Sequence, residues 1–197
     1  MVRKKFFIVL LIMTIVLAIV FSAIRITYLN DIYPNPRIIK HKIGEIIDGG
    51  GVSVCVKKSE LIGGQEFEDS FKNYTQLVEN DDGSVVRGEQ YKVLLIYMDI
   101  TNQTSETQNI SVAQMYAETL TWTNGIDAEI FGMLNKDENN FVDPQCLEIE
   151  PDQNKNIVLT YIMYDFQFQK NDWEEVKISN FDLSLSRYPV KHIVNLL

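Results

Sequence analysis

At 197 residues, with 46% hydrophobic and 23% charged side chains, the chain has material for one ordinary folded domain and an appendage. Its formal net charge of -9 is unevenly spread: residues 1–25 hold Arg3, Lys4, Lys5 and Arg25 and no acid, so the remainder carries -9 - 4 = -13. That remainder repels nucleic acid and anionic lipid, while two cysteines exclude a disulfide-dense scaffold and a four-cysteine zinc site, and two histidines leave little for an all-imidazole metal centre.

Residues 6–24, FFIVLLIMTIVLAIVFSAI, run for nineteen positions without a charge, glycine or proline. As a helix they span roughly 28 Å, close to the roughly 30 Å hydrocarbon core of a bilayer. Arg3, Lys4 and Lys5 precede the run, so the positive-inside rule leaves the amino terminus in the cytoplasm. A cleaved signal peptide has a shorter apolar region and a small-x-small site. Here cleavage after Ala23 sets Phe21, and cleavage after Ser22 sets Val20, where a small residue is wanted. Residues 1–25 therefore read as an uncleaved signal-anchor, a single transmembrane helix with the body extracytoplasmic. No cysteine follows closely, which excludes lipoprotein processing. Thr14, Ala18 and Ser22 form a small stripe at four-residue spacing that can pack a second helix, although such stripes are common in membrane spans.

Residues 26–40 contain Pro34 and Pro36, which bias the preceding residues toward extended geometry and predict a short stiff stalk before a body over 41–197. Residues 42–57 predict a short strand, a turn at Gly49, Gly50 and Gly51, and a strand in which Val52, Val54 and Val56 alternate with Ser53, Cys55 and Lys57. The glycines precede a strand, not a helix, so they are no phosphate loop. In the insertion over 59–87, Phe67, Phe71, Tyr74 and Val78 fall on one helical face, and Glu66, Glu68 and Asp69 sit early in that helix. A hairpin around Asn80, Asp81, Asp82 and Gly83 is the alternative.

Residues 91–102, YKVLLIYMDITN, form the longest strand signal. Leu94, Ile96, Met98 and Ile100 line one face, and Tyr91, Val93, Leu95 and Tyr97 the other, which marks a strand inside a sheet. Residues 108–123 predict a strand pair or bulged strand, 123–125 a turn and 127–134 a further strand. Leu147 and Ile149 lead into a tight turn at Glu150, Pro151 and Asp152, and residues 156–164 resemble the central strand in being apolar on both faces. A last strand region covers 174–186, with Phe181, Leu183 and Leu185 in alternation. Seven to nine short strands without crossover helices predict an all-β fold, an antiparallel two-sheet β-sandwich.

The order of these signals resembles the telokin-like immunoglobulin-type domains of bacterial lipoproteins and membrane-anchored proteins. KIGEIIDGGGVSVCV is similar to their opening strands, and EQYKVLLIYMDITNQTSETQNISV to their long strand ending in Thr-Asn with a polar turn and a further strand. LTWTNGIDAEI is similar to the segment with Asn-Gly at its turn, and LEIEPDQNKNIVLTYIMYD to the Leu-x-x-x-Pro turn before a long strand, with Asp152 where the family usually has glycine. The likeness covers roughly residues 40–186 and is nearest to membrane-anchored proteins of unknown function from Gram-positive bacteria. It implies an immunoglobulin-like sandwich serving as a surface-exposed interaction or stability module, and carries over no catalytic residues.

Chemistry-bearing residues are sparse. Cys55 and Cys146 both fall on the polar phase of their strands, beside Lys57 and Glu148. They either form a disulfide, suited to an outward-facing domain with two thiols, or stand as two inert or mildly reactive thiols; catalysis is least favoured, since the usual bases are only His41 and His192. The carboxylates Glu66, Glu68, Asp69, Asp81, Asp82, Asp137, Glu138, Glu174 and Glu175 lie in polar runs and read as solvated surface. Trp122 and Trp173 read as core and rim aromatics more than as a sugar platform. Phe67 and Phe71 are the candidate partner surface. The expected function is a membrane-anchored extracytoplasmic binding module of the cell envelope, without catalysis, cofactor or metal, holding a protein or envelope partner. A structural accessory subunit of a membrane complex, or a cell-wall-acting enzyme, is the alternative.

Overall fold

With no glycine or proline to interrupt it, the apolar run continues as a helix despite its many β-branched residues, and α1 runs over Val2–Ile32, beyond the uncharged stretch. The structure is a computed structural model that describes residues 2–71, 83–136, 142–178, 181–187 and 189–197. It separates into two units, Met1–Arg37 and Ile38–Leu197. Within the first unit the hydroxyls of Thr14 and Thr27 donate to Leu10 O and Ala23 O, each at 3.0 Å, so neither is left bare on the helix. Tyr33 precedes Pro34, where helical geometry is disfavoured, and its N–H closes the last turn on Leu29 O at 2.8 Å. The extended stalk expected over 26–40 is thus shortened: helix occupies it to Ile32, and strand β1 (Arg37–Lys42) begins directly after Pro36.

In the second unit, β2 (Ile47–Asp48), β3 (Val52–Gly63), β4 (Tyr91–Asn102) and β9 (Asn154–Tyr164) form one sheet in that order, with antiparallel pairings. A five-stranded sheet has the order β1, β11 (Val190–Asn195), β10 (Asp182–Ser184), β6 (Tyr116–Glu118), β7 (Thr123–Asn124). β5 (Gln108–Ile110) and β8 (Leu147–Ile149) pair separately. The described residues hold eleven strands, more than the seven to nine expected, because six span only two or three residues.

The central strand is β4, paired to β3 on one side and β9 on the other. Leu94, Ile96, Met98 and Ile100 enter the main core, where they meet Ala117, Leu183 and Val194 of the opposite sheet and Leu147 and Ile149 of β8. Tyr91, Val93 and Leu95 enter a second core with Phe67 of α2 (Gly64–Ser70) and Ile130 of α3 (Ala128–Leu134). One sheet is therefore covered on both faces, by a sheet on one side and helical segments on the other.

Several local expectations change. Residues 127–134 form a helix instead of a strand: the Asp127 carboxylate accepts the Ile130 N–H at 2.9 Å as an N-cap. Successive Ile130 and Phe131 then reach the two different cores. The helix expected through Phe67 is present as α2, while Tyr74, Val78 and most of the alternative hairpin lie outside the described residues. α2 approaches the chain before β4 closely, since a Cβ on Gly64 would lie 2.6 Å from Gly88 O and 2.7 Å from the Tyr91 ring. Thr123 and Asn124 are strand β7, and the reversal comes earlier, where Thr119 N–H donates to Trp122 O at 2.7 Å. Residues 170–175 are helix α4 (Lys170–Glu175), so the last strand region contracts to β10. β11 was not expected. Asp152 has φ 57, a left-handed conformation that glycine adopts without strain.

Two asparagines finish strands that would otherwise expose backbone. Asn102 is fully buried; its amide donates to Glu106 O at 2.8 Å and Ile149 O at 3.0 Å, and its carbonyl accepts from Thr104 N at 2.9 Å. The outer edge of β9 is closed by Asn135, which donates to Val158 O at 2.9 Å and accepts from Val158 N at 2.7 Å. Asp127 N–H donates to Thr160 O at 2.9 Å and Asn124 Nδ2 to Ile162 O at 2.8 Å further along the same edge. Asn102→Ala strands buried groups on two segments and is expected to lower the unfolding free energy by about 2–3 kcal/mol in a denaturant titration. Asn135→Ala is expected to cost about 2 kcal/mol in the same titration, and to raise the aggregation rate by reopening the β9 edge.

Candidate functional site

β1 opens the second unit and β11 nearly ends the chain, and the sheet pairs them at its edge. This brings together His41 and His192, the two histidines of the sequence, 151 positions apart. His41 Nε2 and His192 Nδ1 are 3.0 Å apart, and the ring planes are 12° from parallel with centres 5.2 Å apart. That centre separation is about the N···N contact extended by a ring radius at each end. The rings therefore meet edge to edge through an in-plane N–H···N bond, not face to face.

The proton positions follow from the neighbours. A turn after β1, with Gly44 at φ 87 and Glu45 N–H donating to Lys42 O at 3.2 Å, returns Glu45 beneath His41. Glu45 Oε2 lies 3.3 Å from His41 Nδ1, so the proton of neutral His41 sits on Nδ1 and its Nε2 accepts. His192 must then donate from Nδ1, which leaves its Nε2 as a lone-pair nitrogen. The β10–β11 hairpin fixes His192: its N–H donates to Ser186 Oγ at 3.1 Å, and Ser186 donates its own proton to Val190 O at 2.8 Å. Ser186 Oγ–H is thus directed at the backbone and away from the imidazole.

Beside His192 is a cavity of about 200 Å³, walled by Ile47, Val52, Val54, Ile110, Met115 and Leu185, with Asp48, Gly49, Ser186 and His192 completing it. Asp48 Oδ1 accepts the Gly50 N–H at 2.8 Å, which holds the carboxylate in the β2–β3 turn. No sequence periodicity could have found this site, because its members come from β1, β2, β3, β5 and the C-terminal hairpin.

The residues singled out from sequence are dispersed. Cys55 faces away from Val54 and Val56, opposite Asp99, as its phase requires, yet it is buried at 7% exposure. The polar phase of the strand therefore holds a buried thiol here. Cys146 is exposed, with Sγ 3.5 Å from Asn109 Oδ1, and both thiols are free, so of the two alternatives the structure has the separate thiols and not the Cys55–Cys146 disulfide. Phe67 is 0% exposed in the second core and Phe71 packs on it with ring centres 4.8 Å apart; Phe67 is a core anchor, not a partner surface. Trp122 meets Phe181 edge-on at 5.7 Å and Phe168 at 5.9 Å, while Lys92 Nζ sits 4.4 Å over the Trp173 ring. Those rings are occupied by neighbours, as core and rim aromatics. Thr14, Ala18 and Ser22 are exposed on α1. Among the described residues no three His, Cys, Asp or Glu side chains converge as a metal site. Asp81, Asp82, Asp137 and Glu138 lie outside the described residues.

The body is a β-sandwich, antiparallel in the long-strand pairings, with helical cover on one sheet. Residues 41–192 match the family described as Domain of unknown function (DUF5028), and the chain belongs to that family. It is similar to an uncharacterized beta-sandwich protein from Clostridium difficile 630, at TM-score 0.48 and 12% identity, over 82% of this chain and 96% of that one. It is also similar to the yjhA protein from Bacillus subtilis, at TM-score 0.45 and 12% identity, over 79% and 98% of the two chains. A conserved hypothetical protein from Bacillus anthracis gives TM-score 0.43 and 11% identity over 73% and 87%. No curated protein matches the chain.

The paired histidines imply a pH dependence. His192 is held below its ordinary value of 6.5, by burial first and by neighbouring His41 second. The charged groups around the pair are Lys40, Lys42 and Glu45 near His41, Asp48 at the cavity, and Lys191, which is bound to Glu118 of β6. Below about pH 6.5 the unfolded chain binds more protons than the folded one, so this contribution is fully present above that pH and is lost as pH falls through the folded value. The thermal midpoint of the full chain is expected to drop between pH 7.5 and 5.5, and His192→Gln to flatten that slope. A variant that loses stability on acidification as steeply as the parent contradicts the assignment.

Proposed function

We propose that this chain is a membrane-anchored binding module of the cell envelope whose immunoglobulin-like, telokin-type body is extracytoplasmic and performs no catalysis. The observation that carries the reading is α1. Residues Leu10–Ile32 make a helix long and apolar enough to cross a bilayer, with mean hydropathy 2.4 and none of it buried within the protein. Leaving such a helix in water exposes large aliphatic side chains along its whole length, each favouring an apolar phase by about 1.5–3 kcal/mol. Arg3, Lys4 and Lys5 before it favour a cytoplasmic amino terminus. The acidic body is suited to standing off an anionic lipid surface, and its β9 edge is closed to strand addition. Thr14, Ala18 and Ser22 give α1 a narrow face on which a second span can pack.

In a Gram-positive host, the intact 22.7 kDa chain is expected in the membrane pellet after alkaline carbonate washing. Protease added to whole cells is expected to digest the body. Release of a shortened chain into the medium identifies a cleaved signal, and a body digested only after lysis reverses the topology.

A further inference from the structure

The cavity beside His192 combines an apolar wall with a few polar side chains in its lining, among them Asp48 and His192. At about 200 Å³ it exceeds the roughly 150 Å³ apolar cavity that holds a benzene-sized guest. Of its wall residues, Met115 belongs to the buried core and Val52, Val54, Ile110 and Leu185 pack against that core half-buried, so the space is an apolar recess open to solvent. An apolar guest fits that wall by area; the mouth decides its polar head. With both imidazoles neutral, Glu45 holds the His41 proton on Nδ1, His192 donates from Nδ1, and the unshared nitrogen of His192 is an acceptor. Asp48 contributes a carboxylate with one oxygen engaged by Gly50 N–H. Ser186 has already spent its proton on Val190 O. A carboxylate or phosphate head would meet a lone pair and a negative charge. A cationic head with N–H donors meets two partners.

We propose that this cavity binds a small organic amine, its aliphatic or aryl body between Val54 and Met115 and its ammonium on Asp48 and His192 Nε2. The proposal rests on the reading of the body as a binding module and names the ligand class of that module. Anchoring is tested by fractionation, which reads α1 alone, so the two can fail separately.

The test uses the full chain in nanodiscs of zwitterionic lipid, with empty nanodiscs as the blank, and three probes sharing one body: benzylamine, benzyl alcohol and benzoate. Histidine ring signals and isoleucine methyl signals are followed by NMR during each titration. Benzylamine is expected to shift the His192 and Ile47 signals and to bind at least tenfold tighter than benzoate. Asp48→Asn is expected to weaken benzylamine at least fivefold while leaving benzyl alcohol unchanged. Met115→Trp, which fills the cavity, is expected to abolish all three; an unaltered thermal midpoint for Asp48→Asn separates lost binding from lost fold. Equal binding of benzoate and benzylamine, shifts that persist in Met115→Trp, or no shift at millimolar probe overturns the proposal.

Discussion

Everything in the second unit follows from one constraint: β4 is apolar on both faces, so both must be taken out of water. A buried Leu or Ile is worth about 1.5–3 kcal/mol, and β4 buries Leu94, Ile96, Met98 and Ile100 on one side and Val93 and Leu95 on the other. The partner sheet can cover only one of those faces. The other needs a second cover, which the chain supplies from two connections, α2 before β4 and α3 before β9. A simple two-layer sandwich with one solvated face per sheet would leave Tyr91, Val93 and Leu95 exposed. The helical segments are therefore a consequence of the strand's composition.

α3 shows how much one short segment can do. Asp127 caps the helix through Ile130 N–H and, through its own backbone, binds Thr160 O on β9. Ile130 covers the second core while Phe131 enters the first. Asn135, at the helix end, presents an amide that copies a strand's donor and acceptor to Val158. Capping, covering and edge closure are met together between Asn124 and Asn135, so an eleven-residue edge strand is left without a long run of bare backbone.

This also explains which parts of the fold were legible. Long strands announce themselves by period two, and β4 was located to the residue. α3 covers about two turns, too few for a helical period, and its signal was the single Asp127 cap. Alternation gives the phase of Cys55 relative to Val54 and Val56 but says nothing of what lies over either face, so its burial is not legible in the sequence. Phe67 and Phe71 share a helical face that suits a core as well as a partner surface, and only the missing cover of β4 decides between them. The extended stalk gave too much reach to two prolines; Pro34 disfavours helical geometry at Tyr33 and leaves the earlier turns free to continue to Ile32.

The histidine site was beyond any local reading because it exists only where the first and last strands of the second unit meet. Each member is ordinary in its own segment: an edge-strand histidine, a turn glutamate, a hairpin serine. Their chemistry emerges from counting protons in sequence. Glu45 can accept but not donate, so it determines the tautomer of His41, and His41 in turn determines which nitrogen of His192 is left with a lone pair. A residue that does not line the cavity thus sets the hydrogen-bonding sense of its mouth at two removes. If the carboxylate of Glu45 were replaced by a donor, the ordering would reverse along the pair and His192 would turn a proton outward. The polarity of this end of the sandwich is consequently a property of the connected chain of groups, and none of the three carries it alone.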